Sequence, residues 1–516
     1  MNGLSYKRLL LSLMMAWIVS VLPAAVPITC MDTVVVPLPM DSVIIPVEAV
    51  SNTIGPTTPD STSEYVAKRR SWLAVAEVIG FNVGLLAIDR FVLNGDYAHV
   101  SMKSFRRNIG LGHWFWDSDK MYTNLFSHPY HGNMYYNAAR SNGMNYYVSM
   151  LYSTAGSLLW EIGGENEWLS VNDFLSTSIG GAAIGETAYR LSDAILDDTQ
   201  RGGSRFLREA VAFVLNPMRG FTRLIHGDNR RQRKERVTFL PQHLMVDVST
   251  GIRLLHTSAQ KKANMQTAFV GLDIEYGDVV QTVVDRKPFS YFRFASTMAM
   301  GQHQPLVNNI GLVGRVASTQ IAEGKGACEV GLYQHFNYME TDAGRLNVMP
   351  YKLAETVSVG AGIQYTTDTG RYVTMRGGFY VNAMVLGGMM SDIQHDFINR
   401  NYNVGSGFTL RYHTTCEMGR LLRLRLTAEY YRLYTWIDCS EINFNRDAAS
   451  WSTQGDEGVS GLLAMKSSVN IRLWKKWGLY VGANYFNRHA HYKFYPAQSP
   501  SYSHTFEWLL GVSKGL

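Results

Sequence analysis

From Leu244 onward the chain alternates apolar and polar residues in one segment after another, and a sheet built that way must present two different faces to two different surroundings. Between Leu422 and Tyr430 the even positions are Leu422, Leu424, Leu426, Ala428 and Tyr430, while the odd ones are Arg423, Arg425, Thr427 and Glu429. Successive strand side chains point to opposite faces, so one row suits hydrocarbon and the other does not. A closed antiparallel barrel pairs every backbone polar group while turning the apolar row to lipid and the charged row to its lumen. Twelve such strands are expected, near 244–256, 264–276, 288–300, 306–318, 326–338, 354–366, 371–385, 402–414, 419–435, 460–474, 477–492 and 503–516. A soluble β-sandwich also alternates, but uneven connections separate the two.

The connections carry that distinction. Outer-membrane barrels have short periplasmic turns and longer outer loops. With the first strand entered from the periplasm, 366–370, 415–418 and Lys475-Lys476 are short inner turns, whereas 339–353, 386–401 and 436–459 are long outer ones. The same register turns Arg376, Arg411, Arg423, Arg425, Arg472, Lys466, Asp247, Asp273, Glu275, Glu329 and Glu429 inward. These charges either pair and fill the lumen or line an anion-biased solute path. The last strand, with Phe506, Trp508, Leu510 and Val512 on one face, is the segment the barrel assembly machinery would read, although it ends in Leu516 rather than an aromatic residue.

Composition narrows the class. At 46% hydrophobic residues and a mean hydropathy of -0.09 the chain is too polar for a helical membrane protein, while 29 Tyr and 46 Gly suit strands and interfacial girdles. A formal net charge of +6 gives no reason to expect a nucleic-acid partner. Lys7 and Arg8 before the apolar run Leu9 to Leu22, followed by Ala24 and Ala25, have the layout of a secretory signal over 1–25, and 26–69 reads as an extended linker. Cys30 lacks the small residues expected ahead of a lipidated cysteine. Cys328, Cys416 and Cys439 are scattered, and the last two fall at opposite ends of one strand, beyond disulfide reach.

Residues 70–226 have helical periodicity instead, with helices expected at 72–92, 129–141, 144–162, 171–196 and 204–214. Glu77, Asn82 and Asp89 interrupt the first and argue against a stop-transfer segment. A basic run of Arg230, Arg231, Arg233, Lys234 and Arg236 within 227–243 joins this region to the barrel. It suits either anionic headgroups at the membrane surface or plain solvation. Trp116 to Lys120, Asn124 to Gly132, Tyr135 to Gly143, Gly156 to Glu161, Ser170 to Asp173, Gly180 to Glu186 and Asn216 to Gly220 together resemble an uncharacterised family, domain of unknown function 3943. The resemblance implies a helical domain followed by an outer-membrane barrel, and no reaction.

The residues are therefore read on their own chemistry. His128 and His131 share a helix face, and Glu161, Glu165 and Asp173 are the carboxylates able to meet them, as an acid/base or metal site or as a buried hydrogen-bond network. Ser170 with Asp173 fits a helix cap, Gly181 with Gly185 fits close helix approach, and Glu186, Arg190 and Asp193 fit a solvated or paired face. The expectation is an α + β multidomain chain, with a periplasmic helical bundle and an outer-membrane barrel over 244–516. Its role is a non-enzymatic one in the envelope, as anchor or solute path, with outer-membrane lipids and the assembly machinery as partners. The alternative is an envelope lipid- or glycan-modifying enzyme using His128, His131, Glu161 and Asp173, and the sequence names no cofactor.

Overall fold

The computed structural model describes residues 69–515 except 259–262, 281–286, 302–303, 306, 323–325, 343–348, 369–371, 396–399, 439–451, 475 and 495–499. The signal and linker readings, Cys30 and Cys439 lie outside the described residues. Twelve antiparallel strands close into a barrel: β1 (Leu244–Thr257), β2 (Ala263–Tyr276), β3 (Phe292–Met300), β4 (Asn309–Ala322), β5 (Gly326–Thr341), β6 (Tyr351–Asp368), β7 (Val373–His395), β8 (Arg400–Met418), β9 (Leu422–Thr435), β10 (Gly458–Trp474), β11 (Trp477–Tyr492) and β12 (Ser501–Gly515). Each strand pairs with its chain neighbours, and β12 closes on β1 through pairs such as Leu510 with Ile252.

Strand number and register agree with the alternation. Leu510, Trp508, Val481, Leu426, Leu410 and Val381 form an exposed outer belt. The inward row is paired among itself: Arg376 with Glu275 (3.0 Å) and Glu417 (2.9 Å), Arg411 with Glu429 (3.1 Å) and Glu355 (3.4 Å), Arg315 with Glu329 (2.8 Å), and Arg423 and Arg425 with Asp247. A cavity of about 110 Å³ lies among the described lumen side chains, lined by residues including Arg253, Arg293 and Glu507.

Two strand boundaries differ from expectation for identifiable reasons. β7 continues to His395, and register shifts at Glu355/Val357 and Gly405/Gly407 break the two-residue rhythm by which 386–395 would have been recognised. The connection 277–291 is long although it lies at the short-turn end, and its Pro288 and Phe289 meet the helical region.

That region contains α1 (Ser71–Phe91), α2 (Met102–Asn108), α3 (His128–Ser141), α4 (Tyr146–Gly163), α5 (Val171–Leu175), α6 (Gly181–Ile195), α7 (Gly202–Leu215) and α8 (Pro217–His226). α2 and α8 went unpredicted, and wide turns of the π type, Thr123–Ser127 and Ser176–Gly180, lead into α3 and α6. The first explains Pro129. Lacking an N–H, a proline inside a helix frees carbonyls of the preceding turn; here those of Asn124 and Leu125 accept from Ser176 Oγ (2.8 Å) and Thr356 Oγ1 (3.4 Å). α3 and α6 cross at Gly132 and Gly181, where a Cβ on either would collide with the other's surroundings, and Gly185 seats Tyr136. Glu186 is not solvated: it is buried between Arg140 and Arg190, each at 2.8 Å. The basic linker folds back, with Arg236 donating to the carbonyls of Asp193 (3.0 Å) and Ala194 (2.7 Å).

The helices pack on the outside of the barrel wall. Along β5, Val330 and Leu332 are exposed belt residues, while Phe336 and Tyr338, the next outward positions but one and beyond, are buried in a cluster with Leu125, Tyr136 and Ala182. Gln334 bonds to Tyr146 Oη (2.6 Å) and to the Ile179 carbonyl (2.9 Å). On β1 and β2 the covered residues, Val246 and Ile274, sit at the short-turn end; on β7 and β8, Leu386 and Val404 sit at the long-loop end. The helical region thus crosses the height of the belt on one side of the barrel.

Candidate functional site

The polar residues singled out in the helical region gather around the start of α3, the end of α4 and the start of α5. His128 Nε2 lies 3.6 Å from Asp173 Oδ1, and its Nδ1 lies 3.4 Å from Thr177 Oγ1. Asp173 is held by the helix-cap geometry expected of Ser170, whose Oγ accepts the Asp173 N–H (3.2 Å), and by Asn172 Nδ2 (3.0 Å). Glu161 accepts the Ser170 N–H at 2.7 Å, and Trp160 Nε1 donates to Glu165 at 2.7 Å. His131 packs edge-on against His128 (5.8 Å between ring centroids), Phe81 and Trp160. The structure thus joins His128 to Asp173, gives Glu161 to a backbone donor, and surrounds His131 with rings.

Burial sets the protonation states. It pushes His128, helped by the neighbouring His131, down to about 3, and His131 down to about 4. Burial also raises Glu161 and Asp173 well above the ordinary carboxylate range and lifts Glu165 to about 8. Burial thus disfavours the charged form of both partners, the imidazolium of His128 and the carboxylate of Asp173. A contact of an imidazole with a carboxyl at this distance is arranged to share or pass a proton. Among the described residues no group of three or more His, Cys, Asp or Glu side chains is arranged to hold a metal ion.

Sequence reasoning missed the residues that tie this cluster to the barrel. Asp117 donates its N–H to Asn172 Oδ1 (2.8 Å), and its carbonyl accepts from Arg400, which also donates to the Thr453 carbonyl at 2.6 Å. Tyr402 Oη donates to the Asp119 carbonyl (2.6 Å) and accepts from Asn124 (3.1 Å). The cluster therefore lies at the long-loop end. Nothing in local spacing links Asp117 to a residue nearly three hundred positions on; only the position of Asp117 in a recurrent motif marked it.

A closed barrel with an apolar outer belt and a paired polar lumen defines an outer-membrane β-barrel protein, here one with a helical region applied to its wall. Residues 113–218 match the family described as a domain of unknown function (DUF3943), so the chain carries the domain its motifs resemble. No curated protein matches the chain. Among solved structures, the NanC porin aligns at 10% identity over 52% of this chain and 98% of the porin, with a TM-score of 0.25. An outer-membrane channel from Pseudomonas putida F1 aligns at 8% identity over 54% and 97% of the two chains (TM-score 0.23), and OmpT of Vibrio cholerae at 9% over 53% and 100% (TM-score 0.19). At these scores the class rests on the barrel's own closure and belt.

Proposed function

We propose that the protein is a membrane-anchored platform and not a solute pore, with the barrel holding the helical domain at the outer membrane. The observation that carries this reading is the mutual pairing of the lumen charges. Arg376, Glu275, Glu417, Arg423, Asp247 and Arg425 form one run of pairs, Arg411, Glu355, Glu429 and Lys466 a second, and Arg253 with Glu507 and Tyr351 a third. A path needs hydrated, uncommitted charge along its length, whereas these groups are paired with one another and all but Glu417 and Lys466 are buried. Planar-bilayer recording of the purified chain tests it: no conductance steps are expected, and a steady ohmic conductance from the wild-type protein refutes the closed lumen.

The basic linker and the short turns support entry of the chain into the barrel from the periplasmic side. The periplasmic placement expected of the whole helical domain is narrowed to that linker end, because the domain's wall contacts run on toward the long loops. Insertion by the barrel assembly machinery through β12 belongs to the same reading. The contact of His128 with Asp173 favours a second reading, an enzyme acting on envelope lipid or glycan through His128, His131, Glu161 and Asp173. Mass spectrometry of outer-membrane lipids and glycans from cells carrying the wild type or H128N tests it; a mass change present with the wild type and lost with H128N would establish it.

A further inference from the structure

We propose that the helical domain lies within the membrane beside the barrel, its outward faces on α1, α7 and α8 in contact with the acyl chains of outer-membrane lipid. The first observation is polarity turned inside out. In α1 the acids Glu77 and Asp89 are buried, 5% and 6% exposed, with Glu77 accepting from Asn142 and Thr222 (both 2.9 Å) and Asn82 bonded to Tyr135 and Gly156. Its outward residues are instead Trp72 (73% exposed), Val75, Ile79, Val83 (61%) and Ile88. α7 and α8 repeat the pattern: Arg208, Arg219 and Arg223 are buried, the last two on Asp193 and on Asp198 with Glu209, while Phe206, Phe213, Phe221 and Leu224 face out. A water-solvated domain buries apolar side chains and exposes charge; lipid as solvent reverses the preference.

The second observation is continuity. The helices cover outer-wall positions that on β9 to β12 are open belt, and they cross from the short-turn end at Val246 to the long-loop end at Val404. A layer of protein that displaces lipid from the wall through the height of the belt has lipid on its far side. α1 is also long and apolar enough to cross a membrane.

The test uses the full chain with its four cysteines changed to serine, reconstituted in phosphatidylcholine vesicles, and a single bimane label at V83C or F221C. L510C supplies the belt reference and Q232C, in the basic linker, the aqueous one. Dibrominated phosphatidylcholine is expected to quench the label at 83 and 221 as strongly as at 510 and several-fold more than at 232, with iodide giving the reverse order. Quenching by iodide at 83 and 221 as at 232 overturns the proposal in favour of an aqueous domain. Failure of both quenchers to reach them overturns it in favour of a protein cover, such as a second copy. Folding of each variant is checked by heat-modifiable migration, and I79C replaces any variant that fails.

Discussion

Removing Arg411 should destabilise the barrel by about 3 kcal/mol. Its guanidinium is buried on β8 and faces Glu429 at 3.1 Å and Glu355 at 3.4 Å, with Tyr431 Oη at 3.2 Å and His335 Nδ1 at 3.0 Å. Taking one partner from a buried pair costs roughly 3–5 kcal/mol, because the remaining charge is left in a poor solvent. The lower end applies here: Glu429 keeps Lys466 at 3.2 Å, and Glu355 keeps Ser358 at 2.6 Å together with Asn337. Urea unfolding of R411M in vesicles, followed by tryptophan fluorescence, measures the loss. Adding E355Q should restore roughly half of it, since a neutral amide no longer needs the cation. K466M, which removes a more exposed partner, should cost about 1 kcal/mol or less. An R411M barrel within about 0.5 kcal/mol of the wild type, or a double variant weaker than the single, would refute the argument that paired lumen charges hold the barrel closed.

G181V should detach α6 from α3, because its side chain has only the Gly132 backbone to occupy; a loss of about 1–3 kcal/mol and faster proteolysis between α5 and α7 are expected, with an unchanged barrel. T356V removes the donor to the Leu125 carbonyl that Pro129 leaves open and should cost roughly 0.5–1.5 kcal/mol, read as faster hydrogen exchange in the turn before α3. Protection of the helical domain should also depend on pH with two slopes. Glu165, raised to about 8, contributes stability that is complete below about 4.5 and is lost as pH climbs to 8. His128 and His131, lowered to about 3 and 4, contribute stability that is complete above about 6.5 and is lost as pH falls through those values. Hydrogen exchange across pH 4 to 9 checks both limbs, and E165Q should make the alkaline one shallower without abolishing it, because Glu161 and Asp173 are raised as well, while leaving the acid one unchanged.

The barrel was legible because its information is local: alternation fixes each strand's faces, and turn length fixes direction, so even the inward set from Asp247 to Arg472 could be named in advance. Where alternation is interrupted, legibility ends, as in residues 386–395 beyond the register shift. The helical residues were found but their arrangement was not. His128 and Asp173 could be nominated by type, yet Arg400 and Tyr402, which anchor that cluster, belong to a strand whose outward positions read as ordinary belt.

The position of the helical domain was illegible for a deeper reason. Reading amphipathic helices from sequence assumes that the apolar side faces the protein and the charged side faces water. Under that assumption Glu77, Asn82 and Asp89 count as evidence against membrane contact. The structure gives those residues internal partners and puts Trp72, Val75, Ile79 and Val83 outside, so the same three residues become the glue of a bundle whose solvent is not water. Substituting a buried acid and an outward valine therefore separates the two views. If lipid surrounds α1, V83R should reduce membrane-integrated protein while E77Q, which keeps hydrogen-bond capacity toward Asn142 and Thr222, should be tolerated. In an aqueous bundle V83R would be harmless, as a surface substitution usually is. Quantifying the heat-modifiable, membrane-extracted fraction of each variant decides between them, and equal yields for V83R and the wild type would remove lipid from the account.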